Sequence, residues 1–275
     1  MNSATIAFIG GGNMAASLIG GLIADGYPAD RIRVADPDAA RCKGLSERFG
    51  VHAGADNQVA IQGAAAIVLA VKPQVVHEVA KALGPGLRDS KVLWLSIAAG
   101  VQAADLARWL GGEAAVVRAM PNTPALVQTG ATALYANRYV RDDQRDLAES
   151  LMRAVGITRW LDDERLMDAV TAVSGSGPAY FFLLIEHLQA AGMRLGLTPE
   201  TARLLTLETA LGAARMALES EADAATLRQR VTSPGGTTER AVQAFEDGNF
   251  GALVDSAVQA AAERAAELGK LLGEQ

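Results

Sequence analysis

The chain has 275 residues, half of them hydrophobic, with 5% aromatic and 20% charged residues and a formal net charge of −6. That apolar fraction excludes a disordered chain, and the length allows two domains that each bury a core. The acidic balance argues against a nucleic-acid surface; a single cysteine, Cys42, and three scattered histidines, His52, His77 and His187, argue against a disulfide framework or a metal centre.

The first half alternates short apolar runs with helical stretches. Thr5 to Ile9 is a buried-strand pattern, followed by Gly10-Gly11-Gly12 and a helix from about Asn13 to Asp25. Further strands are expected at Ile32 to Asp36, Ala66 to Val71, Val92 to Ser96 and Val116 to Met120. Helices are expected near Asp38 to Phe49, a surface helix that carries Cys42, and near Gln74 to Leu83 and Gln102 to Leu110. Ala131 to Tyr135 and Thr158 to Leu161 add two candidate strands around a helix at Arg141 to Val155. Apolar strands of four to six residues separated by helices indicate βαβ units and a mostly parallel, doubly wound sheet covered on both faces.

After about Asp162 the strand pattern stops. Pro178 to Leu195 reads as a helix closed by Gly196, and Thr198-Pro199-Glu200 as a cap and first turn of another that runs to about Ser220. Phe250 to Leu272 carries an apolar stripe at helical spacing. The expectation is therefore an α/β domain over 1–162 and an all-α domain over 163–275.

Two features bear on location. The first basic residue is Arg31, so the apolar N-terminus lacks the charged region of an export signal. The longest uncharged run, Ala169 to Ile185, contains Ser174-Gly175-Ser176-Gly177-Pro178, which reads as a loop and speaks against a membrane span. A soluble cytoplasmic protein is expected.

Gly10-Gly11-Gly12-Asn13-Met14-Ala15 fits G-x-G-x-x-A, directly after a strand and before a helix. The first glycine permits a tight turn, the second lets backbone approach a pyrophosphate, and the helix N-terminus offers free N–H groups. A plain β–α turn would share the glycines but has no need of the whole pattern. Asp36, at the end of the second strand, stands where an acid typically accepts hydrogen bonds from the adenosine ribose, which favours NAD. Asp36-Pro37-Asp38 is equally an ordinary turn and cap, and Arg33 and Arg41 are near enough to neutralise a 2′-phosphate, so the cofactor preference stays open. Ala70 to Pro73, Ser96 to Gly100 and Met120 to Pro124 follow other strands and are plausible walls of the same crevice.

In the second half, Asp168 to Tyr180 reads as a small-residue loop opening a helix, and Val231 to Glu239 combines hydroxyls and glycines at another helix start. Each also reads as simple capping. Within Val231 to Glu239, however, donors are dense and no lysine or arginine occurs, which suits a small carboxylate held mainly by backbone.

With these segments in view, the chain closely resembles the pyrroline-5-carboxylate reductases over essentially its full length. The most specific part is Thr232-Ser233-Pro234-Gly235-Gly236-Thr237-Thr238, supported by Phe8 to Met14, Ala70 to Pro73, Met120 to Pro124 and Thr171 to Tyr180. The resemblance implies an N-terminal Rossmann domain and an all-α C-terminal dimerisation domain. It also implies a homodimer through the C-terminal helices, extending to a decamer in some members, with no nucleic acid, membrane or metal involved. It implies hydride transfer from NAD(P)H to the C=N carbon of 1-pyrroline-5-carboxylate, giving L-proline. NADPH is the family expectation, with NADH kept open by Asp36. Carried onto matching positions, Ile9, Gly10, Gly11, Gly12, Asn13, Met14, Asp36, Asn57, Ala70, Val71, Lys72, Pro73, Ala98, Ala99, Gly100 and Asn122 would contact the cofactor. Thr171, Glu221, Val231, Thr232, Ser233, Gly235, Gly236, Thr237 and Thr238 would surround the substrate, with Thr238 bonded to the ring nitrogen. Two rivals stand beside this. A β-hydroxyacid dehydrogenase would want a helical-domain lysine, and beyond Lys91 only Lys270 remains. A non-catalytic NAD(P)-binding regulator would not need the hydroxyl-rich loop.

Overall fold

The computed structural model describes residues 4–87 and 90–274. By contacts the chain forms two compact units, one of residues 1–176 with 261–275 and one of residues 177–260.

In the first unit, eight strands form one sheet: β1 (Ile6–Ile9), β2 (Ile32–Ala35), β3 (His52–Gly54), β4 (Ala66–Leu69), β5 (Leu93–Ser96), β6 (Ala115–Met120), β7 (Gly130–Ala136) and β8 (Gly156–Trp160). Their spatial order is β3-β2-β1-β4-β5-β6-β7-β8, with only the β6–β7 pair antiparallel. β1 is central to the winding, with Ile6 in register with Ile32 on one side and Ala66 on the other. The order reverses between β1 and β4, and in such sheets ligands bind outside the carboxyl ends of the strands at that switch point.

Helices α1 (Asn13–Ala24), α2 (Ala39–Phe49), α3 (Asn57–Ile61), α4 (Pro73–Leu83), α5 (Ala103–Trp109) and α6 (Asp142–Arg153) connect the strands. They cover both faces. Ile6, Phe8, Leu18, Ile19, Val34 and Leu95 form one core, while Ile9, Ile67, Leu69, Trp94 and Leu106 form the other. Each such side chain contributes about 1.5–3 kcal/mol on leaving water, which is why β1, β4 and β5 are apolar on both faces.

The boundary expected near 162 marks where strands stop, whereas the contact boundary falls after Ser176. Residues 163–176 pack on the sheet domain through the buried Met167 and Ala172. Glu164 reaches further: its Oε1 accepts from Arg118 Nη1 of β6 (3.2 Å) and from the Ala103 N–H that opens α5 (2.7 Å).

Two sequence readings need correction. The Ser174 to Pro178 stretch is not a loop. A short helix α7 (Met167–Val170) continues into a π-helical turn over Thr171–Gly175, and Gly177 and Pro178 already belong to α8 (Gly177–Arg194). Proline sits in the first turn, where its missing N–H costs nothing. Glu164–Arg194 is accordingly long and apolar enough to cross a membrane by length and composition. Cys42, expected on a surface helix face, is buried, with Sγ 3.2 Å from the Asp36 carbonyl oxygen.

The second unit is helical: α8, α9 (Pro199–Glu219), α10 (Ala224–Arg230), α11 (Thr237–Asp247) and the start of α12 (Phe250–Gly273). Thr198 caps α9 and Asp223 caps α10 through side-chain oxygens. The far end of α12 belongs to the first unit, where Leu272 is buried in the sheet core.

Candidate active site

The glycine loop leaves β1 with Gly10 at φ +97°, a conformation that L side chains rarely adopt, and a Cβ there would stand 2.7 Å from the Ala70 carbonyl oxygen. Gly11 turns its N–H inward to Asp36 Oδ2 (2.8 Å). Gly12 is the N-cap of α1; no side chain caps that helix, and a Cβ on Gly12 would meet nothing within 4 Å. Backbone is thus brought to the edge of open space, with the first-turn N–H groups of α1 free of any side-chain cap. That is the donor set a diphosphate needs.

The cavity in front of this loop has a volume of about 550 Å³. Ile9, Gly10, Gly12 and Asn13 form one wall, with Asp36 and Asn57 on a second and Ala70, Val71 and Lys72 on a third. Those expected positions are brought together. Ala35, Pro37, Arg41, Ala55, Val75 and Val79 also line the cavity, and the cofactor assignment above did not include them. Arg41 carried a signal in its nearness to Asp36; the small and apolar ones carried none.

Other expected cofactor positions lie outside that lining. Met14 packs on the core, and Pro73 opens α4 at its first turn. Gly100 (φ +80°) lies against Leu272 and Gly269 of α12, and Ala98 is buried, its N–H 3.3 Å from Ser96 Oγ. Asn122 uses both ends of its amide within the protein. Nδ2 donates to Ser174 Oγ and its carbonyl oxygen (3.2 and 3.3 Å), and Oδ1 accepts from the Ala131 N–H (2.9 Å). It ties β7 to the π-helical turn, where Thr171 is anchored by its own hydroxyl to the Met167 carbonyl. π-helical turns are rare and often mark functional sites.

Asp36 is 4% exposed. Burial pushes its carboxyl pKa up, but hydrogen bonds from the Gly11 and Asp38 amides and from Arg41 outweigh that and hold it below the usual carboxylate value. Reciprocally, the hydrogen bond and charge of Asp36 raise Arg41 further.

In the helical unit, α10 ends at Arg230 and the Val231 to Gly236 loop leads into α11. Gly235 adopts φ +73°, its N–H donating to Glu239 Oε2 (2.8 Å), while the Gly236 N–H donates to the Ser233 carbonyl (3.0 Å). Thr232 Oγ1 is spent on the Arg228 carbonyl (2.6 Å), and Arg228 itself pairs with Glu246 (3.1 Å). By contrast, the hydroxyls of Ser233, Thr237 and Thr238 have no partner among the described residues. No side chain caps the N-terminus of α11. Uncommitted hydroxyls beside an uncapped helix start can hold a small anion and one further acceptor or donor. Glu221 is exposed at the α9–α10 connection of the same unit.

Comparison with known proteins brings these two loops under one heading. Residues 164–268 match the family described as pyrroline-5-carboxylate reductase dimerisation, and residues 5–100 match that described as NADP oxidoreductase, coenzyme F420-dependent. A pyrroline-5-carboxylate reductase of Pseudomonas aeruginosa is 53% identical over 274 residues, covering all of both chains. One from Pasteurella multocida is 42% identical over 98% of this chain and 100% of its own. Among solved structures, a pyrroline-5-carboxylate reductase from Coxiella burnetii superposes with a TM-score of 0.93 at 49% identity, covering 97% of this chain and 99% of that one. A Plasmodium falciparum pyrroline carboxylate reductase with NADP bound superposes at 0.87 with 30% identity, covering 98% and 99%. A glycine loop that brings free N–H groups to an open cavity, a second loop with uncommitted hydroxyls and likeness along the whole chain have one common explanation: the chain belongs to the pyrroline-5-carboxylate reductase family.

Proposed function

We propose that the chain reduces 1-pyrroline-5-carboxylate to L-proline, the final step of proline biosynthesis. The observation that carries this reading is the full-length relationship to proteins named for that reaction. When bound, a reduced nicotinamide supplies the hydride for the C=N carbon. Asn13, Gly12 and the start of α1 would hold its diphosphate, and Lys72 and Asn57 line the same cavity and would be further contacts. Val71 and the other apolar walls exclude water. Ser233, Gly235, Gly236 and Thr237 of the helical unit hold the substrate carboxylate, with Glu221, Val231 and Thr232 of that unit and Thr171 of the first as further substrate contacts. Thr238 hydrogen-bonds the ring nitrogen and keeps the imine oriented. A cyclic imine is basic enough to carry its own proton near neutral pH, so no strong enzymic acid is required of a chain with three histidines.

We further propose the functional division as 1–162 for dinucleotide and 163–275 for substrate and dimerisation. In this reading the chain is a homodimer through its C-terminal helices, extending to a decamer, and works in the cytoplasm without membrane contact. The named NADP complex of the Plasmodium relative supports NAD(P) as cofactor.

Steady-state oxidation of NADPH and NADH with pyrroline-5-carboxylate tests the activity directly. Thr238→Ala is expected to lower kcat/KM by about 10²-fold, the usual effect of removing one stabilising donor, with Thr238→Ser recovering most of it. Undiminished activity in Thr238→Ala would remove Thr238 from the site.

A further inference from the structure

The segment after β5 runs beside the cavity in front of the glycine loop. The Ile97 N–H donates to the Leu69 carbonyl oxygen (3.1 Å), which fixes the segment against the end of β4. The residues that follow β4, Ala70, Val71 and Lys72, line that cavity. Ala98 and Gly100 are buried, so Ala99 is the exposed member of the turn they flank. Gly100 sits at φ +80° and has no side chain of its own to anchor it, so the turn keeps its shape through what packs beneath it.

That support comes from the far end of the sequence. The three heavy atoms nearest to a Cβ built on Gly100 all belong to α12: Leu272 Cδ1 at 3.2 Å and the Gly269 nitrogen and Cα at 3.5 and 3.7 Å. Conversely, a Cβ on Gly269 would stand 3.2 Å from the Gly100 carbonyl oxygen, and one on Gly273 would stand 2.5 Å from Asp105 Oδ2 of α5. Residues four apart share one helix face, so the two glycines let the backbone of α12 lie directly on the turn and on α5. Between them Leu272 is buried in the core cluster that holds Ala98, Val101 and Ala103. At the tip, Arg108 Nη2 of α5 donates to the Gly273 carbonyl oxygen (2.8 Å) and to Asp105 Oδ1 (2.7 Å), satisfying one of the open carbonyls of the helix C-terminus.

We infer that the C-terminal end of α12 is the backing of the cofactor turn: Gly269 and Leu272 are positioning residues that set Ala98 to Gly100 against the nicotinamide half of the dinucleotide. The inference rests on the reductase reading above for the assignment of Ala98, Ala99 and Gly100 to the cofactor. In that reading the rest of the dinucleotide lies in the cavity walled by Gly10, Gly12, Asp36 and Asn57, none of which is among the atoms that meet α12 at Gly100. A shift of the turn by a few tenths of an ångström therefore disturbs one half of the ligand and spares the other.

The test is calorimetric titration of the full chain with NADPH and adenosine 2′,5′-bisphosphate, and with NADH and 5′-AMP, each pair sharing its adenosine half. Gly269→Ala presses a methyl group on the Gly100 carbonyl while favouring the helix that carries it. It is expected to weaken the reduced dinucleotide that the unsubstituted chain binds more tightly by about threefold to tenfold. The adenosine half of that dinucleotide should stay within about twofold of its unsubstituted affinity. Leu272→Ala is expected to act the same way by leaving the turn unsupported, and Leu272→Met, which keeps the volume, to bind the dinucleotide within about twofold of the unsubstituted chain. Should Leu272→Ala not fold, Gly269→Ala decides the question. Equal weakening of the dinucleotide and its adenosine half, an unchanged dinucleotide affinity in Gly269→Ala or in folded Leu272→Ala, or no dinucleotide binding by the unsubstituted chain would overturn the inference. The same selective weakening in a chain that does not turn over pyrroline-5-carboxylate counts against the reductase reading alone.

Discussion

Asp36 combines burial, four hydrogen bonds and an ion pair in one side chain, so its loss is felt in stability before it is felt in binding. Asp36→Asn keeps the shape but turns an amide toward at least one donor, either a backbone N–H or Arg41. We expect a loss of about 1–3 kcal/mol, measured by urea unfolding near neutral pH. The pH dependence has a definite sign. The folded carboxyl titrates below its unfolded value, so its contribution is complete above about pH 4 and fades as pH falls through the depressed folded value. The gap between the unsubstituted protein and Asp36→Asn should therefore narrow only below about pH 4, and a constant gap across that window would show that the carboxyl charge is not involved. The sequence placed Asp36 at the crevice by its position after β2. It could not show the inward direction of the carboxylate, because that is decided by Gly11 and Arg41 folding onto it from either side.

At the level of elements, Glu164 joins three pieces of the first unit: β6 through Arg118, the start of α5 through the Ala103 N–H, and its own segment leading into α7. Arg118 is 4% exposed, so deleting its partner strands a buried guanidinium together with a backbone donor. Breaking a buried pair costs about 3–5 kcal/mol; Glu164 is partly exposed, so Glu164→Ala is expected to cost roughly 2–4 kcal/mol. Double substitution with Arg118→Met should recover part of that, and additive losses in denaturant titrations would mean that the two residues act independently. Which elements could be read beforehand follows the same physics. β1, β4 and β5 were plain because strands buried on both faces are unbroken apolar runs. β3 was missed because His-Ala-Gly at a sheet edge has neither length nor β-branched residues, and α3 because five residues make little more than one turn. The π-helical turn at Thr171–Gly175 was read as a loop, since small residues carry no periodicity and its shape depends on Asn122 and Met120 packing against it.

At the level of the whole molecule, the helical unit leaves large apolar side chains in solvent along its longest elements. Phe181 and Phe182 of α8 are 68% and 66% exposed, and Leu211 and Leu218 of α9 are 62% and 84% exposed. A soluble single chain rarely shows so many together, and the match to a dimerisation family over 164–268 covers these residues. The same face explains why Glu164–Arg194 satisfies the length and composition of a membrane span: a helix that buries its apolar side against a second copy looks lipophilic when one chain is considered alone. Interfaces concentrate their energy in a few well-packed, desolvated anchors, so one charge placed among buried apolar side chains is costly, and a twofold dimer meets that cost at two sites. Sedimentation of the unsubstituted protein at micromolar concentration should show no monomer. Phe182→Glu or Leu211→Asp should yield monomer or aggregate, with turnover of pyrroline-5-carboxylate reduced at least tenfold. Binding of 5′-AMP should survive in both variants, because the cavity in front of the glycine loop, proposed above to take the dinucleotide, is lined entirely by residues of the first unit. A monomeric variant with full turnover would show that the dimer is not needed for activity.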